Sequence, residues 1–207
     1  ALHAQDAASY PVKPVRVVAP YAPGGQSDTI MRAIAGKLTE RWGQPVVVEN
    51  RAGANGIIGA ELVARSTPDG YTLLVAEGSL LTVHPSLYAK LPYDPIRDFA
   101  PITRLTSYKT VLVVHPSVPA RNLTEFIALA KANPGTLTFG SFGQGSGGHL
   151  NMEALKAHLG LDIVHVPYKG SAPVMVDLVA GRLSTVLISV SSSANPVKAG
   201  KLRALAY

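Results

Sequence analysis

From Val15 onward, short runs of β-branched residues alternate with longer stretches in which apolar positions recur every three or four residues. That alternation predicts βαβ units built on parallel sheets. Val15–Ala19 reads as a first strand, followed by the loop Pro20-Tyr21-Ala22-Pro23-Gly24-Gly25 and by a helix carrying Met31, Ile34, Ala35, Leu38 and Trp42, with Ser27 or Asp28 as its N-cap. Residues 46–48 predict a second strand, Asn55 the cap of a helix bearing Ile58 and Leu62, and residues 72–75 a third strand after the turn Pro68-Asp69-Gly70. The stretch from Leu91 to Pro101, with its three prolines, breaks this rhythm and reads as a crossover between two domains.

The second half repeats the pattern. Residues 111–114 predict a strand; Asn122 and Glu125 resemble a capping box ahead of Phe126, Ile127 and Ala130; Asn133-Pro134-Gly135 ends that helix. A strand over 137–140 leads into the glycine-rich run 143–148 and a helix with Leu150, Ala154, Leu155 and Leu159. A strand over 163–166 follows, then a helix from Ser171 with Val174, Met175 and Leu178 inward, a strand near 186–188, a helix over 191–198 and a last strand over 202–206. The division expected is a leader over 1–14, a first domain over 15–100, and a second over 101–207 flanked by crossover segments.

Composition narrows the function classes. With 47% hydrophobic and 15% charged residues among 207, the chain can bury real cores and is not a disordered tail. No apolar run approaches the ~20 residues of a membrane span, so direct membrane insertion is not expected. The 19 Lys and Arg exceed the 13 Asp and Glu by six, but the surplus is spread along the chain and only 6% of residues are aromatic. Such a diffuse potential suits a small anion better than nucleic acid. The absence of cysteine excludes disulfides and thiolate chemistry. The Ala-rich start, residues 1–9, reads as the remnant of an export signal and a short mature leader.

Two glycine loops stand at strand-to-helix junctions, one at Pro23-Gly24-Gly25 and one over 143–148. Glycine lets the backbone approach a ligand, and the amides opening a helix favour an anion, so each loop is a candidate anion seat. Gly143, Gly145 and Gly148 also match the dinucleotide pattern GxGxxG, but Asp162 precedes its strand where a ribose-binding acid should follow one. A nucleotide- or phosphate-using α/β enzyme employing this loop is the alternative reading. His149 and Glu153 share a helix face as half a metal site would, without a third ligand. His84, His115 and His165 read as isolated histidines satisfied by hydrogen bonds. No acid, base and nucleophile set emerges, which favours a binding protein over an enzyme and implies neither cofactor nor metal. The missing helix-turn-helix and the export-like start weigh against a regulator's effector domain.

Five motifs in order carry a family resemblance: Val18-Ala19-Pro20-Tyr21-Ala22-Pro23-Gly24-Gly25 with Asp28; Glu49-Asn50-Arg51-Ala52-Gly53-Ala54-Asn55-Gly56; Leu87-Tyr88-Ala89-Lys90-Leu91-Pro92-Tyr93-Asp94; Ser141, Gly143, Gly145-Ser146 and His149; and His165-Val166-Pro167-Tyr168-Lys169-Gly170. The chain resembles the periplasmic solute-binding proteins of tripartite tricarboxylate transporters, the Bug group. The resemblance implies a type II periplasmic-binding-protein-like fold: two α/β domains closing on a small carboxylate, di- or tricarboxylate or aromatic, as a monomer that delivers it to membrane transporter subunits. Ligand-binding positions it implies are Tyr21, Gly24, Gly25, Ser27, Asp28, Ser79, Thr82, His84, Ser141, Gly145, Ser146 and Tyr168, with Tyr21, Leu81, His84 and Phe142 as selectors between ligands. His84 stands where members usually carry asparagine, and Ser184 where they carry an acid. Members run to roughly 300 residues, so the resemblance also implies a first domain completed by chain beyond Tyr207.

Overall fold

A computed structural model of the chain describes residues 9–206. Residues 1–8 of the expected leader over 1–14, and Tyr207, lie outside them. The element order is β1 (Val15–Ala19), α1 (Gln26–Trp42), β2 (Val46–Asn50), α2 (Ile57–Ala64), β3 (Thr72–Leu74), α3 (Gly78–Thr82), α4 (His84–Leu87), β4 (Thr110–Val114), α5 (Leu123–Ala132), β5 (Thr138–Ser141), α6 (Gly147–Leu159), β6 (Val164–Pro167), α7 (Ser171–Val179), β7 (Thr185–Ser189), α8 (Val190–Lys198) and β8 (Arg203–Ala206). These form two sheets, one of three strands in the order β2-β1-β3 and one of five in the order β6-β5-β7-β4-β8. Among the described residues no helix is long and apolar enough to cross a membrane.

The first sheet is parallel throughout, Val17 pairing with Val48 on one side and Leu73 on the other. Its outer strand stops at Leu74, but the Val75 N–H still donates to the Val18 carbonyl at 3.0 Å, prolonging the ladder by one bond. Val17 and Ala19 pack beneath Met31 and Ala35 of α1, while Tyr21, Ala60, Leu80 and Tyr93 form a second core on the opposite side.

The second sheet is mixed, which the expectation of purely parallel units did not foresee. β5 pairs parallel with β6 and β7, but β4 runs antiparallel to both β7 and β8. Crossover helices dictate direction in the parallel units. β4 instead enters from the long irregular connection after α4, so no helix constrains which way it runs. Flanked by β7 and β8, it sends Leu112 and Val114 to the core beneath α5 and α6, and Val111 and Val113 to the core beneath α7 and α8. That two-sided burial explains its uninterrupted apolar run.

Two expected caps differ. α1 begins two to three residues earlier than expected, with Gly25 at its N-cap and no side-chain cap; Asp28 sits inside its first turn. Asn55 does not cap α2. It lies in a 3-10 turn over Ala54–Gly56, in the left-handed region at φ 51°, and Gly56 precedes the helix. The Asn122 cap forms as expected, its Oδ1 accepting from the Glu125 N–H at 2.9 Å, while Glu125 reaches back to the Arg121 N–H at 2.8 Å.

Candidate functional site

The loops that follow β1, β2, β3, β5 and β6 all leave the carboxyl ends of parallel strands, and in open α/β sheets ligands bind there. Here these loops bring the two lobes into contact. The Ala22 N–H donates to the Lys169 carbonyl at 2.9 Å, the Tyr88 hydroxyl donates to the Gln144 carbonyl at 2.9 Å, and the Gln26 N–H reaches Ser171 Oγ at 3.4 Å. Between these ties lie two cavities that share Phe142. One, about 190 Å³, is lined by residues including Tyr21, Asn55, Gly143, Tyr168 and Lys169. The other, about 220 Å³, lies between Glu77, Gly78 and Ser79 of the first lobe and Tyr108, Gly147, Gly148, Asn151 and Ser189 of the second.

Several glycines exist for this approach. Gly145 has φ +83°, and a Cβ there would stand 2.3 Å from Leu87 Cδ2 and 3.2 Å from the Tyr88 hydroxyl across the lobes. Gly143, at φ +138°, would place one 3.2 Å from Asn55 Oδ1. The loop they form is stiffened from within. Ser146 caps α6 by accepting from the His149 N–H at 3.4 Å, the Gly145 N–H donates to His149 Nδ1 at 3.1 Å, and Ser141 Oγ lies 2.6 Å from His165 Nε2. The open amides at the start of α6 face the 220 Å³ cavity, so this loop keeps the chemistry of an anion seat.

The structure sorts the expected site residues. Tyr21, Ser79 and Tyr168 line the two cavities. The Tyr168 hydroxyl, however, donates to Asp177 at 2.6 Å, and burial together with that carboxylate pushes its pKa up to about 12, so only its ring faces the cleft. Gly24 and Gly25 press against Ala172 and Ser171 at the start of α7, Gly24 also lining an outer groove there. Gly145 meets the other lobe, while Ser141 and Ser146 are buried supports of the loop. Asp28 is buried as well: its carboxylate accepts from the Gly24 N–H, Arg32 Nε and Asn50 Nδ2 at 2.9–3.0 Å. Burial raises its pKa, and the three bonds outweigh that, holding it below the ordinary aspartate range. Ser27 and Thr82 line other grooves, and the Thr82 hydroxyl bonds back to the Gly78 carbonyl at 2.9 Å. Of the expected selectors, Leu81 lines the same groove as Thr82, while Phe142 divides the cleft.

His84 is fully buried and lines none of the cavities and grooves named above. Its Nε2 lies 2.9 Å from Asn55 Nδ2, and its Nδ1 lies 3.4 Å from the Tyr93 hydroxyl, whose proton goes to the Leu80 carbonyl at 2.7 Å. With that proton spent, Nδ1 carries the imidazole hydrogen, Nε2 accepts from Asn55, and burial holds the ring neutral by lowering its pKa. Asn55 is thereby fixed with Oδ1 toward Gly143, buried and unpartnered. Tyr21 Oη is also buried without a hydrogen-bond partner; burial, then Glu77, raises its pKa well above the ordinary range, and nearby Ser79 pulls the other way. The Glu77 carboxylate makes no hydrogen bond or ion pair among the described residues, and burial raises its pKa to about 7. Asn55 read as a helix cap and Glu77 drew no notice in the sequence, although Glu77 sits at a strand's carboxyl end ahead of a glycine-started helix.

His165 is hydrogen-bonded as expected but not isolated. The His149 and His165 rings stand 4.2 Å apart between centroids, with His165 stacked on Phe139 at 4.7 Å. Burial and the neighbouring His149 push His165 down to about 4. Glu153 pairs with Lys156 at 2.7 Å, and no group of three metal-binding side chains occurs among the described residues. Because the folded pKa of His165 lies below the ~6.5 of an unfolded histidine, the unfolded chain takes up protons first as pH falls. The stability present above pH 6.5 is therefore lost between about 6.5 and 4. After discounting for solvent screening of a half-buried ring, the loss is about 1–2 kcal/mol. Thermal unfolding followed from pH 7 to 4 measures it, and His165→Phe is expected to flatten the slope; an unchanged slope in that variant would assign it to other groups.

Two α/β lobes whose strand-end loops meet around a cleft are the architecture of the periplasmic binding proteins, and the neighbours in known structures agree. The chain superposes on a Rhodopseudomonas palustris protein solved with adipate at TM-score 0.90 and 35% identity, covering 95% of this chain and 66% of that one. It superposes on MatC of Rhodopseudomonas palustris, solved with bound malate, at TM-score 0.88 and 32% identity, covering 94% and 66%. Residues 30–207 match the tripartite tricarboxylate transporter family receptor, and the chain belongs to that family. Protein BugT of Bordetella pertussis is 39% identical over 96% of this chain and 61% of its own length. The chain spans about 60% of the length of the curated relatives it matches. This is a family of receptors, not enzymes, and the GxGxxG match at Gly143, Gly145 and Gly148 lacks the acid that a ribose site would place at the end of the next strand. Asp162 agrees, exposed ahead of β6 at the opposite end of the sheet from the glycine loop.

Proposed function

We propose that this protein captures a small carboxylate between its lobes, outside the cytoplasm, and delivers it to the membrane subunits of a tripartite tricarboxylate transporter. The observation that carries the reading is the α6 N-terminus, held by Ser146 and His149 and opening onto the cavity opposite Ser79. The adipate and malate in the related structures support a carboxylate, and family membership supports the periplasm and the transporter partner. The working division is a first domain over 15–100 and a second over 101–207, acting as a monomer. A ligand touching both lobes binds the closed arrangement better and draws the population toward it. Tyr21, Ser79, Phe142 and the loop 143–148 form its walls in this reading, while Asp28, Ser141 and Ser146 hold them in place.

The test is a thermal-shift panel on the whole protein with mono-, di- and tricarboxylates, aromatic acids and NAD. At 100-fold above its dissociation constant a true ligand adds about 2.7 kcal/mol, or roughly 5–10 °C for a chain of this size. A selective rise with one carboxylate is the expected result. A response to NAD alone, or to none of the acids, would overturn the proposal.

A further inference from the structure

The two lobes offer opposite hydrogen-bonding characters to the cleft. From the second lobe come donors, the amides that open α6 at Gly147 and Gly148. From the first lobe come acceptors left without partners. Asn55 Oδ1 is buried, 8% of the residue being exposed, and its own amide nitrogen is committed to His84. Tyr21 Oη, in a residue 3% exposed, is likewise unpartnered. Glu77 lines the 220 Å³ cavity, and its carboxylate makes no hydrogen bond or ion pair among the described residues. A plain diacid satisfies the α6 amides but offers these acceptors nothing, and in so small a space its second charge meets Glu77.

We propose that the ligand of this cleft is a carboxylate that also carries a hydrogen-bond donor, a hydroxyl or an amine, and that Glu77 is the residue that selects for it. The inference rests on the carboxylate-capture reading above and names the substrate class within it. The ligand's carboxylate sits at the start of α6 and its donor group turns toward Glu77, with Asn55 Oδ1 as a second acceptor in the adjoining cavity. The groups facing Glu77 are the hydroxyls of Tyr21 and Tyr108, both of whose pKa values are raised, so neither ionises near neutral pH. No lysine, arginine or histidine lines this cavity; Arg104 lines the groove on its other side without pairing with Glu77. Discrimination then comes from an unpaired polar group that only the right ligand satisfies, the kind of contact that gives the largest selectivity.

The experiment compares matched acids that differ in one group: succinate, malate and aspartate; glutarate, 2-hydroxyglutarate and glutamate; benzoate, salicylate and anthranilate. Dissociation constants are measured by calorimetry on the whole protein and on Glu77→Gln and Glu77→Ala. Removing an unpaired, desolvated carboxyl relieves a cost, so both variants are expected to unfold at or above the wild-type temperature. Wild type is expected to prefer the donor-bearing member of one series at least tenfold. If the donor is an amine, both variants bring that preference below about threefold; if it is a hydroxyl, Gln keeps most of it and Ala loses it. Between pH 6 and 8 the wild-type affinity for an amino acid rises as Glu77 ionises, and that for a plain diacid falls. Equal binding of plain and donor-bearing acids, or a preference untouched by Glu77→Ala, would overturn this inference alone. Failure of all nine acids to bind would overturn the carboxylate reading together with it.

Discussion

Gly145→Asp is expected to abolish ligand capture, weakening every carboxylate that stabilises the wild-type protein by more than 100-fold, which corresponds to about 2.7 kcal/mol. Gly145 holds φ +83°, a region that costs an L residue about 1–2 kcal/mol. Its Cβ would also point into the first lobe, 2.3 Å from Leu87 Cδ2. Leu87 is 45% exposed and can swing aside in the free protein, so the fold survives with a modest loss of stability. When the lobes meet, that space is needed, and the added carboxylate competes with the ligand's own for the α6 amides. Calorimetric titration with the ligand found by thermal shift measures the effect. An affinity within threefold of wild type would remove the loop from the site.

Asp28→Ala carries the second large effect, and it acts through folding before binding. Three donors converge on this buried carboxylate from the β1 loop, the end of β2 and α1 itself, and Asn50 Nδ2 also reaches the Tyr21 carbonyl at 3.1 Å. Removing the acceptor strands the Gly24 N–H and loosens the loop that carries Tyr21. A loss of about 2–4 kcal/mol is expected, read as a fall in the urea midpoint without a change in slope. Asp28→Asn keeps one acceptor oxygen and is expected to lose about half as much. If Asp28 touched ligand directly, both substitutions would cut affinity while leaving the urea midpoint in place.

Much of this architecture is legible in the pattern of apolar residues. The positions of β1, β2, β4 and β7, the helix faces carrying Met31, Phe126 and Val174, and both glycine loops all follow from local periodicity and turn chemistry. What escapes is decided across the chain. A run such as Thr110–Val114 announces a strand buried on both faces but not its direction, because no helix leads into it. Asn55 looks like a cap because asparagine often is one; its left-handed backbone and its bond to His84, 29 residues away, come only with the packed lobe. The same holds for His149 and His165, which sit on different elements and meet over Phe139. Among the family positions, Asp28, Ser141, Ser146 and His84 are buried behind the cavities, whereas Tyr21, Ser79 and Phe142 line them. Sequence alone does not separate a wall from its support, since both occur in the same motifs.

The bonds that tie the lobes, from Ala22 to Lys169 and from Tyr88 to Gln144, involve protein groups only. They act as a clasp whose strength does not depend on what the cleft holds. Each 1.4 kcal/mol added to it multiplies the closed-to-open ratio by ten for any occupant, good fit or poor. In the proposed capture cycle a stronger clasp therefore lengthens the dwell time of every guest by a common factor and leaves the ratio of their affinities as it was, while a weaker one hastens the release of all of them alike. In that cycle the speed of emptying is set partly by the Tyr88 hydroxyl and the Lys169 carbonyl, apart from the residues proposed to choose the guest.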